Sequence, residues 1–126
     1  SIIDRKSPAW IIYEDEEVIC FLPTKPEVYG HTVIASKPHF VDIDDAPASV
    51  LESVMTAAKR LAAHYKAQIG STGINLFHAS GPSAQQSVVH FHIHLIPRFE
   101  SDGVNAWPEF PASTFDKDEM LKILKL

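Results

Sequence analysis

Short β-branched and aromatic runs alternate with turn residues through the first third of the chain. Trp10-Ile-Ile-Tyr13 and Val18-Ile-Cys-Phe-Leu22, separated by Glu14-Asp15-Glu16-Glu17, predict two antiparallel strands joined by an acidic turn. After the Pro23 to Pro26 corner and Gly30, His31-Thr-Val-Ile-Ala35 predicts a third strand, stopped by Lys37-Pro38. The period then changes. Val50, Val54, Ala57, Leu61 and Tyr65 recur at steps of three and four, the single apolar stripe of a helix over about 47–68. Asp45 or Ser49 is its expected cap, Ser49-x-x-Glu52 has the capping-box pattern, and Gly70 marks its stop. Ile74 to Ala79 and Val88 to Ile96 predict two more strands around a Ser80-Gly-Pro-Ser-Ala84 loop. A short terminal helix near 116–125 has its acids early and its lysines late, matching the helix dipole. Strands, one long helix and strands again predict an α+β fold with an antiparallel sheet, in a single domain over 1–126.

Composition narrows the class. A chain of 126 residues with 45% hydrophobic residues buries a sufficient core without disulfides or a structural metal. The formal net charge is −5 with the basic residues scattered, which disfavours a nucleic-acid surface. Apolar runs are far shorter than the ~20 residues of a membrane span, and the chain begins without a basic-then-apolar leader. With one cysteine, Cys20, in an apolar run, the expectation is a soluble cytoplasmic protein whose thiol is a small buried hydrophobe.

The chemistry lies in His90-Phe91-His92-Ile93-His94-Leu95. Chance yields such a triple on the order of 0.02 times at this composition. On a strand the three imidazoles share one face about 7 Å apart, with Phe91, Ile93 and Leu95 toward the core. Such a row suits either a metal, through neutral nitrogens, or an anion that it holds and attacks. Three alternate positions on one strand do not naturally converge on a tetrahedral ion. Gln86 and Ser87, at the mouth of the same strand, offer donors to phosphate oxygens. His39 and His64 read as surface or structural histidines, and His78 divides evenly between structural and substrate-adjacent roles. Trp107 and Phe110 read either as a satellite core or as contacts to a partner subunit.

The run His90-Phe-His-Ile-His-Leu-Ile resembles the histidine triad (HIT) signature. Ile2-Ile3, Pro8-Ala9, Ile11-Ile12-Tyr13-Glu14-Asp15, Phe21, Gly30-His31-Thr-Val-Ile and Lys37-Pro38-His39 are similar to that family's N-terminal half, so the likeness covers about residues 1–98. The resemblance implies a homodimeric α+β domain that acts on a nucleoside monophosphate unit. It implies that His92 attacks the α-phosphorus to form a nucleotidyl-histidine, that His90 and His94 orient it, and that His31 supports the triad. It further places Gln86 and Ser87 at the phosphate and leaving group, and Ile2, Phe21 and Leu22 around the base and ribose. Pro23, Ala79 and Gln85 stand where relatives often have a ribose-binding acid, an asparagine and a glycine. Relatives often open with a Cys-x-x-Cys zinc pair that this chain lacks, so neither a metal nor another cofactor is expected. Three functions stay open: a metal-independent nucleotide hydrolase or transferase, a non-catalytic nucleotide sensor, and a metal-dependent hydrolase using the triad as ligands.

Overall fold

The computed structural model describes residues 10–126. Five strands form one sheet: β1 (Trp10–Glu14), β2 (Val18–Leu22), β3 (Thr32–Ser36), β4 (Gly73–Phe77) and β5 (His92–Arg98). Their order is β1-β2-β3-β5-β4, and every neighbouring pair is antiparallel. The long helix α1 (Ala48–Ile69) connects β3 to β4 and covers one face, and α2 (Lys117–Leu124) ends the chain. These elements realise the α+β expectation.

Alternation along the strands separates two faces. Val18 and Cys20 of β2, Ile34 of β3 and Ile93 and Leu95 of β5 pack against Val54, Ala57, Ala58, Leu61 and Tyr65 of α1. The opposite face carries Ile19, Phe21, Val33 and Ala35, with Ile11 against them. Registers Ala35↔His92 and Val33↔His94 put both strand histidines on this second face, at the middle of the sheet. Cys20 is fully buried, and burial pushes its thiol up to about 11. It serves as packing.

Local sequence accounts for most boundaries. Gly70 adopts φ 72°, the left-handed conformation that ends a helix at little cost to glycine. Asp116 caps α2, its side chain accepting from the amides of Asp118 and Glu119. The start of α1 differs from expectation: Pro47 occupies the cap, with no side-chain capping bond. Asp45 instead accepts from the Val41 amide in the preceding turn, and Ser49 already lies within the first helical turn.

The last strand also begins later than its apolar run. Val88 and Val89 are exposed, and β5 starts at His92. The cause is a local stitch: the Phe91 amide donates to the Phe40 carbonyl (2.6 Å), and Gln86 Nε2 donates to the carbonyls of Val41 (2.6 Å) and Val88 (3.1 Å). Those bonds hold 86–91 as an irregular crossing. Trp107 and Phe110 are 79% and 73% exposed, so they form no satellite core within this chain. Among the described residues, no helix is long and apolar enough to cross a membrane.

Candidate active site

His92 and His94 project side by side from β5, ring centroids 5.0 Å apart and nearly perpendicular. His31 enters just before β3. Gly30, at φ 85°, turns the chain there, and a Cβ on it would lie 2.8 Å from the Pro97 ring, so both conformation and space select glycine. His31 is thereby buried to 5% exposure, with its Nε2 2.9 Å from His94 Nδ1.

Hydrogen-bond partners decide the tautomers. The Glu27 amide can only donate, so His31 Nδ1 accepts from it (3.0 Å) and the His31 proton sits on Nε2. That N–H donates to His94 Nδ1, which leaves His94 with its own proton on Nε2. Burial, then the charges of His92, His31 and His78, hold the His94 pKa down at about 4. Burial likewise lowers that of His31. Both rings are neutral at pH 7. His92 Nδ1 donates to the His90 carbonyl (2.7 Å), so the lone pair of His92 Nε2 remains free. A nucleophilic nitrogen and an N–H donor therefore stand together on a half-buried face.

The third triad residue departs from the expected row. His90 precedes β5, and its Nε2 donates to the Ser36 carbonyl. Its Nδ1 lies 2.9 Å from His39 Nδ1, so His39 is its ring partner rather than an isolated surface residue. The strand never begins early enough to align His90 with His92 and His94. The only sequence sign of this pairing was Lys37-Pro38-His39 at the end of β3. His78, on the helix side of the β4 edge, donates from Nδ1 to the His92 carbonyl (2.8 Å) and pairs through Nε2 with Ser80 Oγ. It touches the nucleophile's backbone rather than its ring.

The remaining positions divide. Phe21 shares the histidine face, while Leu22, one residue on, lines a cavity on the helix side with Ile12, Tyr65 and Ile69. Gln86 spends both ends of its amide within the crossing, its Oε1 accepting from the Gly81 amide (2.8 Å). Ser87 is exposed beside it. Ile2 lies outside the described residues. A second cavity of about 420 Å³ opens beside His31 and His94, bounded by Glu27, Phe77, Ile96 and Val104. Among the described residues, no three His, Cys, Asp or Glu side chains gather as a metal-binding group. The triad rings are turned to Ser36 and His39, to the His90 carbonyl and to His31 instead.

A central strand with paired histidines, a buried supporting histidine and one covering helix defines a histidine-triad fold. The family model for the HIT domain matches residues 4–101. A HIT-like protein of Methanocaldococcus jannaschii is 37% identical over 98% of this chain and 95% of its own length. The adenylylsulfatase HINT3 of Arabidopsis thaliana is 35% identical over 80% of this chain and 51% of its own length. The crystal structure of a HIT family protein from Bacillus anthracis has a TM-score of 0.83 and 32% identity, covering 97% of this chain and 87% of the other. The chain belongs to the HIT family, and a nucleotide-related function goes with that membership.

Proposed function

We propose that this protein is a nucleotide hydrolase or nucleotidyl transferase that attacks the α-phosphorus of a nucleoside phosphoramidate or dinucleoside polyphosphate through His92. The observation that carries the reading is the tautomer chain, Glu27 amide to His31 to His94 on one side and His92 to the His90 carbonyl on the other. In the first step His92 Nε2 forms a bond to phosphorus, and the bond to the leaving group breaks, the leaving group taking the electron pair and, where it is an amine, a proton from solvent. The Nε2–H of His94 donates to the charge that develops, from a ring whose position needs no adjustment during reaction. In the second step water attacks phosphorus, the phosphorus–nitrogen bond breaks with its electron pair returning to His92 Nε2, and the water's proton is released to solvent. His90 braces the strand entry and His31 positions His94. Ser87 borders the phosphate at a loop that Gln86 braces, and Phe21 borders the nucleoside from the histidine face, where the family resemblance also assigns Ile2.

A named relative supports the nucleotide assignment, since an adenylylsulfatase cleaves at an adenylyl phosphate. No metal or organic cofactor is required by these steps. The protein acts as a homodimer in the cytoplasm: Trp107, Phe110 and Phe115 leave apolar surface uncovered on one copy. Light scattering is expected to give twice 14.0 kDa. Incubation with adenosine 5′-phosphoramidate and with a diadenosine polyphosphate, in chelator, tests the activity. AMP release abolished in His92→Gly is expected, and loss of release on chelation alone would transfer the reading to metal catalysis.

One observation favours a nucleotide-sensing role as second reading. Gln85 holds φ 68° without being glycine, beside the crossing that borders the phosphate. Pro23 and Ala79 likewise stand where the family often has polar contacts. AMP binding without release from either compound would establish that alternative.

A further inference from the structure

Arg98 ends β5 on the same face as His94 and Ile96, four and two residues away, and so points along the histidine surface rather than into the helix core. All three nitrogens of its guanidinium donate hydrogen bonds. Nε and Nη2 donate to the two carboxylate oxygens of Asp102 (2.8 and 2.9 Å), Nη1 donates to Asn75 Oδ1 (3.0 Å) and Nη2 also donates to the Val104 carbonyl. Asp102 in turn accepts from the amides of Phe99 (3.0 Å) and Val104 (3.0 Å). Ser101 at φ 55° and Gly103 at φ 71° reverse the chain inside this ring of bonds. The strand's continuation is folded back over its own face, and Val104 and Ala106 become walls of the cavity beside His31 and His94. A bidentate arginine held at both ends is a stiff device for placing a loop.

The cavity lies toward the C-terminal end of β5, between Phe77 of β4 and Glu27 and Val28 of the segment that leads into β3, whereas Phe21 and Val33 lie over the paired strands β2 and β3. A phosphorus held at His92 therefore has two directions for its substituents. We propose that Arg98, braced by Asp102 and Asn75, is a specificity-determining positioning residue: it holds Val104 and Ala106 as the wall that shapes the space for an apolar leaving group. The inference rests on the nucleotidyl-transfer reading for the identity of that group, and on the clamp geometry for the wall. Arg98 touches no reacting atom. Its effect belongs in discrimination between leaving groups, not in the chemical step.

The test compares AMP amidates of ammonia and of tryptamine on the wild-type protein and on Arg98→Ala, Arg98→Lys and Val104→Ala. In Arg98→Ala the KM for the tryptamine amidate is expected to rise about tenfold while kcat changes less than about threefold, and the ammonia amidate is nearly unaffected. Arg98→Lys retains one contact and falls between. Val104→Ala shifts the same ratio without disturbing the clamp, which keeps the test valid should Arg98→Ala fold poorly. Opening the wall also hydrates His94, so its NMR titration in Arg98→Ala is expected to move up from about 4. Parallel losses on both amidates, or an unchanged ratio, overturn the proposal. If the wild-type protein turns over neither amidate, that failure belongs to the catalytic reading. The ratio of Kd values for the tryptamine amidate and AMP then decides: a tenfold change in Arg98→Ala supports the wall, and no change overturns it.

Discussion

Two histidine pairs lie on the same sheet with the same 2.9 Å nitrogen separation, yet their surroundings give them different work. His31 and His94 are enclosed, and an amide that can only donate sets the order of protons through both rings. His39 and His90 meet near solvent, where the Ser36 carbonyl orients His90 and water competes for the rest. Distance alone does not distinguish a reactive constellation from a brace. Burial and the direction of donation do, because a desolvated imidazole with fixed partners cannot exchange tautomers freely.

The largest test of this contrast removes the nucleophile. His92→Gly is expected to lower AMP release by roughly four orders of magnitude or more, while His39→Gln stays within about threefold. Comparable losses from both would erase the distinction. Next comes the buried pair: His94→Ala and His31→Gln each lower the rate by about a hundredfold or more, as loss of a positioned proton donor does, with the double variant little worse than either single one. Additive losses would show that the two rings act independently.

A pH experiment sharpens the comparison further. The folded-state pKa of His94, about 4, lies below the ordinary value of 6.5, so between those values the unfolded chain binds more protons. Stability contributed by this ring is present above pH 6.5 and declines as pH falls toward 4. Denaturant midpoints are expected to drop across that window in the wild-type protein and to drop less in His94→Phe. The smallest effect belongs to the opposite face of the sheet. Tyr65→Phe loses the 2.6 Å contact with Thr32 and is expected to cost about 1 kcal/mol in denaturant unfolding with no change in AMP release.

Much of this architecture was legible because periodicity is a strong signal: the α1 stripe and the alternation of β2 and β3 reappear as the two packed faces of the sheet. His92, His94 and His31 come together as the triad pattern implied. What escaped was set by contacts distant in sequence. The β5 start depends on Phe40 and Gln86 bonds to the crossing, which no local run of Val88 and Val89 reveals. His39 met His90 across 51 positions, so its role was invisible to spacing along one strand. Leu22 illustrates the converse, since adjacent strand residues face opposite ways and only Phe21 shares the histidine face.

The central claim is that His92 Nε2 becomes covalently bonded to phosphorus. Intact-mass and peptide mass spectrometry, on protein quenched in alkali within milliseconds of mixing with adenosine 5′-phosphoramidate in chelator, tests it directly. The account predicts one adenylyl group on the peptide carrying His92, absent from His92→Gly and formed no more slowly than AMP appears in the steady state. Steady AMP release from a protein that never carries the adduct, under conditions that preserve an authentic phosphohistidine, would contradict it.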